Sequence, residues 1–201
     1  MLPIECRRCR PDDNIAELAQ CLYETDPYIY PHVCNHNPSA WQDMVRSCLP
    51  RPNNVFCYQN LLVALSEGHI VGVICIIPCG RIFDFACDLA VDDDMLPYVA
   101  SVQEGYFDPM MQSNLCMDGY NLVCVCVRDG YRDRHVGTRL MQYCLSLYGR
   151  DDLILEVIAD NDAAISLYRH NGFELWAERL GYTPDGEDLP CYLFLRHGVP
   201  A

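Results

Sequence analysis

The chain has 201 residues, 51% of them apolar, and a net charge of −14 at neutral pH. That apolar share fits one folded domain with a real core and excludes a disordered chain. The charge argues against nucleic acid or an anionic membrane as the main partner, since both need a basic face.

No apolar run reaches membrane-spanning length, and Met1–Arg10 lacks the apolar centre of a signal peptide. A cytoplasmic location is therefore expected. The 14 cysteines then read as mostly reduced and buried rather than as a disulfide scaffold. Cys6-x-x-Cys9 has no second half, and Cys34 between His32 and His36 completes no regular zinc spacing, so no metal is expected. All of the cations are arginine, because the chain has no lysine.

Ile4–Arg10 reads as a first strand. Asp12 or Asp13 is expected to cap a helix reaching Tyr23, with Ile15, Leu18, Ala19 and Leu22 on one face. Asp26–Pro38, rich in Pro, Tyr, His and Asn, reads as a loop, and Ser39 as the start of a second helix. Leu61–Leu65 and Ile70–Ile77 flank Ser66-Glu67-Gly68-His69 and predict a hairpin. A long connection at about 79–118 follows. Its Asp84–Asp118 portion holds eight acidic residues and no arginine, with an apolar stripe through Leu96, Val99, Ala100 and Val102 that predicts a helix.

Tyr120–Val127 is a near-continuous apolar run and predicts a central strand, with Cys124 and Cys126 on one side. The helix after it carries Val136, Leu140, Met141, Cys144, Leu145 and Tyr148 at helical spacing. Leu153–Ile158 reads as a buried strand, and Asn161 as the cap of a helix that stops at Asn171-Gly172. Phe173–Arg179 and Cys191–Arg196 close the chain as two strands around the loop Thr183–Gly186. No repeat divides residues 1–201, so one domain is expected. Strand–helix–strand units with hairpins imply a mixed, mostly antiparallel sheet flanked by helices, an α/β (α+β) architecture.

Between the central strand and its helix, Arg128, Arg132, Arg134 and Arg139 gather in an otherwise acidic chain. A Gly-containing turn into a helix leaves backbone N–H groups unpaired at the positive end of the helix dipole, which suits a phosphate. Gly137 lets an anion approach the backbone. The glycines and lysine of a P-loop or a dinucleotide fingerprint are absent.

The pattern Val127-x-x-x-Tyr131-Arg132-x-x-His135-Val136-Gly137-Thr138-x-Leu140 resembles the acyl-coenzyme A signature of the GNAT family of N-acetyltransferases. Downstream, Leu155-Glu156-Val157-x-x-x-Asn161-x-x-Ala164-Ile165-x-Leu167-Tyr168-x-x-x-Gly172-Phe173 resembles the family's second motif, and within it Leu155–Tyr168 is similar to the bacterial ribosomal-protein alanine N-acetyltransferases. The resemblance implies an acyl-CoA N-acyltransferase-like fold and transfer of an acetyl group from acetyl-CoA, as cosubstrate, to an amine. It implies that Val125 and Val127 hold the pantetheine arm through their backbone. Arg132, Asp133, Arg134, His135, Val136, Gly137 and Thr138 would cradle the pyrophosphate, and Asn161 would contact the arm. Tyr168 would protonate the leaving thiolate, and Glu156 would serve as base, with Asp118 and Glu104 as weaker candidates. One departure is His135, which stands where the family usually has its first glycine.

A carboxylate inside an apolar strand is costly unless it has a partner or a role, so Glu156 reads either as the base or as half of an ion pair. The acceptor is expected to be an amine on a small molecule or a peptide N-terminus, with the acidic crossover favouring a cationic one. The molecule is expected to be a monomer or a homodimer. The competing reading is a non-catalytic acyl-CoA-binding sensor or interaction module. A nucleic-acid patch built on the arginines runs against the net charge.

Overall fold

The computed structural model of the protein describes residues 3–79, 119–182 and 187–196. The helix expected within Asp84–Asp118, the base candidates Glu104 and Asp118, and the loop Thr183–Gly186 lie outside these residues. The described strands are β1 (Ile4–Arg8), β2 (Leu61–Ser66), β3 (His69–Pro78), β4 (Tyr120–Val127), β5 (Leu153–Ile158), β6 (Glu174–Tyr182) and β7 (Asp188–Arg196). The described helices are α1 (Ile15–Tyr23), α2 (Ile29–Val33), α3 (Pro38–Cys48), α4 (Val136–Tyr148) and α5 (Asp162–His170). The strands form one sheet in the order β1-β2-β3-β4-β5-β7-β6. Among the described strands only β4 and β5 pair in parallel, so the sheet is mixed and mostly antiparallel as expected.

Each sheet face has its own core. One buries Val63, Val73, Cys75, Cys124 and Cys126 under α1, α2 and α3. The other buries Leu62, Ile74, Leu122, Leu155 and Phe194 under α4 and α5. Trp41 anchors the first face, with its ring centroid 4.6 Å from that of Tyr30 and its Nε1–H donated to the Ala19 carbonyl at 2.8 Å. The polar end of a buried Trp needs such a partner.

Three local expectations are corrected. Asn14, not Asp12 or Asp13, caps α1, its side chain accepting from the N–H of Ala16 and Glu17. Asn37 caps α3, which starts at Pro38 rather than Ser39. The stretch expected to be a loop contains α2, whose first turn is held by Asp26 Oδ1 accepting from Tyr28 N and Ile29 N, each at 2.9 Å.

The site is positioned by one irregularity in β4. Cys75 pairs with Cys124 and Ile76 with Leu122, so Val123 is an extra residue on β4, a bulge. Side-chain alternation flips there. Leu122 faces the α4–α5 side, while Cys124 and Cys126 face the α1–α3 side. A bulge also sharpens the local twist. Pairing between β4 and β5 runs from Tyr120↔Leu153 to Leu122↔Leu155 and stops at this point.

Asp13 has a structural task in place of capping. It accepts Arg7 Nη1–H at 2.8 Å, Arg7 Nη2–H at 2.5 Å and the Arg10 N–H at 2.7 Å. Burial pushes its carboxyl up, but the Arg7 guanidinium and the Arg10 amide outweigh that and hold it below the ordinary carboxylate value. A depressed folded pKa gives stability that is complete above the unfolded value, about 3.9, and lost as pH falls through the folded value. Asp13→Asn should therefore cost about 1–3 kcal/mol at pH 7 in urea unfolding. The gap to the parent protein should close as the pH is taken below about 3.9.

Candidate functional site

Where β4 and β5 part, a cleft of about 110 Å³ opens between them. Val125 of β4, Glu156 of β5, and Asn161 and Tyr168 of the α5 segment line it together. These are four of the residues singled out from the sequence, drawn from three elements. Arg128 N–H donates to the Val71 carbonyl at 3.0 Å, so β4 residues Cys126 and Cys124 share that orientation toward β3. The alternation turns the backbone groups of Val125 and Val127 the other way, toward the side β5 has left. A strand edge that no neighbouring strand pairs beyond Leu122 thus borders the cleft.

Val127 leads into the turn of Arg132–Thr138. The first helical bond of α4 is Arg139 N–H to the His135 carbonyl at 3.0 Å. The N–H groups of Val136, Gly137 and Thr138 precede it and have no backbone acceptor among the described residues. These are the orphan donors of a helix start, at the positive end of its dipole. Val136 is buried at 1% exposure, so only its amide can meet a ligand. A Cβ on Gly137 would come within 3.3 Å of Leu167 Cδ2 and 3.5 Å of Val127 Cγ2, so the glycine lets α4 pack closely on α5 and β4.

His135 takes the position before this helix with φ +61°, and Asp133 has φ +58°. Left-handed backbone is what a glycine supplies freely. His135 adopts it at a modest steric cost, so the departure in sequence changes the side chain and keeps the turn. The four arginines do not all converge. Arg132 donates Nε–H to the Val127 carbonyl at 3.1 Å and pairs with Asp129 at 3.0 Å. Arg134 lies over the Tyr131 ring at 5.6 Å. Arg128 reaches the Ile70 carbonyl and Gln20, on the α1 side, and Arg139 is exposed on α4.

Glu156 carries an ion pair. Arg179 of β6 donates Nε–H to Oε1 at 2.9 Å and Nη2–H to Oε2 at 2.5 Å, reaching across β7, which lies between the two strands. Tyr168 is 4% exposed and packs on Phe173 and Phe194. Burial, reinforced by the Cys124 and Cys126 thiols, raises its hydroxyl above its ordinary pKa, so it remains protonated. Asn161 caps α5, accepting from Ala164 N–H at 3.1 Å. The two cleft thiols are unreactive by the same logic: burial pushes Cys124 up to about 11, and burial with the Glu156 carboxylate pushes Cys191 up to about 12.

Thr25, Asp26, Ile29 and Tyr30 form the opposite wall of the cleft and were not singled out from the sequence. Asp26 two residues ahead of Tyr28-Ile29-Tyr30 was the available cue, a cap before an apolar run. The density of Pro, Tyr and His around it masked that cue. No group of three or more potential metal ligands occurs among the described residues.

The sequence model of the acetyltransferase (GNAT) domain matches residues 101–175. Over those residues, which are less than half of its length, the chain is similar to that domain, and its sheet shares the fold of solved acetyltransferases. An N-alpha-acetyltransferase of Sulfurisphaera tokodaii is 29% identical over 102 residues, 49% of this chain and 61% of its own. The two curated relatives are matched over only 21% and 61% of their own length. Among solved structures, an N-acetyltransferase from Staphylococcus aureus Mu50 superposes with a TM-score of 0.71 at 16% identity, covering 95% of this chain and 99% of that one. The ribosomal-protein-S18-alanine N-acetyltransferase from Escherichia coli does so with a TM-score of 0.57 at 13% identity, covering 99% and 96%. At such identities the structures establish a shared fold.

The turn geometry yields a test of the His135 conformation. His135→Val, which places a β-branched residue at φ +61°, should cost about 1–2 kcal/mol in urea unfolding. His135→Gly should stay within about 1 kcal/mol of the parent protein.

Proposed function

We propose that this protein is an N-acetyltransferase that moves an acetyl group from acetyl-CoA directly to an amine. The observation that carries this reading is a single cleft, lined by Val125 and Tyr168, beside a helix start with unpaired amides. The chain's residues fit the coenzyme. The Val136, Gly137 and Thr138 amides suit the pyrophosphate, with Arg132 and Arg134 beside them, and the freed edge of β4 suits the pantetheine amides.

In this reading the backbone N–H of Val125 stabilises the charge that gathers on the thioester oxygen. The amine attacks the carbonyl carbon, the C–S bond breaks, and the Tyr168 hydroxyl gives its proton to the leaving sulfur. Both cleft thiols are held protonated, which argues for direct attack rather than passage through an acyl-cysteine. In this reading Glu156 accepts a hydrogen bond from the amine and orients it, while the amine's proton passes to water. Both of its oxygens already accept from Arg179, so protonating Glu156 would break a largely buried ion pair.

The acceptor is an amine on a small molecule or a peptide N-terminus, the latter supported by the name of the Sulfurisphaera tokodaii relative. A cytoplasmic setting belongs to the same reading, supported by the free thiols of the described cysteines.

Thiol release from acetyl-CoA with a panel of amines tests the reading. Tight coenzyme binding with no release for any amine would instead make the protein a binding module. Tyr168→Phe keeps the ring packing and removes the proton, so kcat should fall roughly 100-fold with coenzyme affinity retained. Glu156→Gln strands Arg179 and should cost about 1–3 kcal/mol of stability. Its pH–rate profile should keep the shape of the parent's. Loss of the acidic limb would instead identify Glu156 as the base.

A further inference from the structure

The bulge at Val123 does more than end the β4–β5 ladder. It sends two successive side chains to one face of the sheet. Val123 packs against the core under α1, α2 and α3, and Cys124 lies within that core. Val125 then packs on the opposite face, the one that carries Tyr168. The cleft therefore has two unlike sides. Tyr168 stands on one, and Val123, Cys124, Ile29 and Tyr30 stand on the other.

The second side is held fast. The Tyr30 hydroxyl and the Cys124 thiol share a hydrogen bond of 3.1 Å, which joins α2 to β4 inside the protein. The Tyr30 ring packs on Trp41, with centroids 4.6 Å apart, and edge-on against Phe56 at 5.9 Å. Tyr30 is 5% exposed and Cys124 2%. Parting them would strip two buried polar groups of this bond, so neither side chain swings aside easily. The floor is closed as well, because Leu122↔Leu155 is the last pair of the β4–β5 ladder.

How much can such a cleft hold? Its volume is about 110 Å³. An apolar cavity of about 150 Å³ takes one benzene ring, so by that measure roughly four or five non-hydrogen atoms fit here. An acetyl group and the nitrogen that attacks it already fill that space. This inference rests on the acetyl-transfer reading above, in which Tyr168 faces the thioester sulfur and leaves the acyl group and the amine to the other side. We propose that the bonded pair of Tyr30 and Cys124 is the wall that limits the acyl donor to a short chain. Acetyl-CoA is accepted. Butyryl-CoA carries two more carbons and meets a wall that does not give way.

The test is the double variant Tyr30→Phe with Cys124→Ala, which removes one non-hydrogen atom from each half of the wall. Both bonding groups go together, so neither leaves the other stranded, and the ring keeps its packing on Trp41. Calorimetry gives Kd for CoA, acetyl-CoA and butyryl-CoA. Thiol release with one fixed amine gives kcat/KM for the two thioesters. In the parent protein butyryl-CoA should bind about 10-fold or more weakly than acetyl-CoA, and its kcat/KM should be lower by roughly 100-fold or more, as expected for added methylenes in a closed pocket. In the double variant both gaps should shrink to about threefold or less, while Kd for CoA, which carries no acyl group, stays within about twofold. Thermal melting checks the fold, and Cys124→Ala alone, the smaller change, should narrow the kcat/KM gap by about threefold or more.

Equal use of both thioesters by the parent protein, or a gap that persists in a folded double variant, overturns the wall and leaves acetyl transfer standing. A binding gap that closes in the variant, with no turnover of any amine, supports the wall and overturns acetyl transfer. No binding of any of the three coenzyme forms overturns both.

Discussion

The parting of β4 and β5 is the constraint on which the rest of the site depends. The strands share the pairs from Tyr120↔Leu153 to Leu122↔Leu155, and the bulge at Val123 ends the ladder. Each strand then keeps its other neighbour, β3 for β4 and β7 for β5, so the sheet stays whole while it opens. Unpaired backbone inside a protein is expensive. It is tolerable here because the opening is a cleft that can admit a polar, extended partner.

The two helices behind the sheet turn that gap into a place for chemistry. α4 starts beside the freed edge of β4 and brings three amides with no backbone acceptor among the described residues. α5 starts after β5, with Asn161 at its cap and Tyr168 two turns on, its ring seated between Phe173 and Phe194. A ring packed that firmly leaves its hydroxyl little freedom, which suits the acid role proposed for it. Gly137 sets the spacing between the helices, since a side chain there would push against Leu167.

Much of this was legible in the chain because it is local. The strand β4, the hairpin of β2 and β3, the periodicity of α4 and the Asn161 cap are each written within a dozen residues. The two ordered motifs made Gly137, Asn161 and Tyr168 visible before any fold was known. What could not be read was non-local or chemically silent. An extra valine in an apolar strand looks like any other valine, so the bulge left no mark. Glu156 and Arg179 are separated by 23 positions, and nothing in the intervening sequence predicts that β7 will lie between them. Helix α2 was hidden by Pro27 and the aromatic and histidine residues near it, where composition suggested a loop and the Asp26 cap decided otherwise.

The strand order has a temporal side. β7 follows β6 in the chain but lies between β5 and β6 in space. During synthesis, β5 and β6 therefore emerge with an empty slot between them, and neither can bond to the other across it. The clamp of Arg179 on Glu156 spans that slot and sits directly over β7. Until β7 arrives, two strands rich in apolar residues wait with open edges, a state prone to mispairing with other chains. The wall of the cleft that β5 provides therefore gains its second neighbour only once β7 has been made.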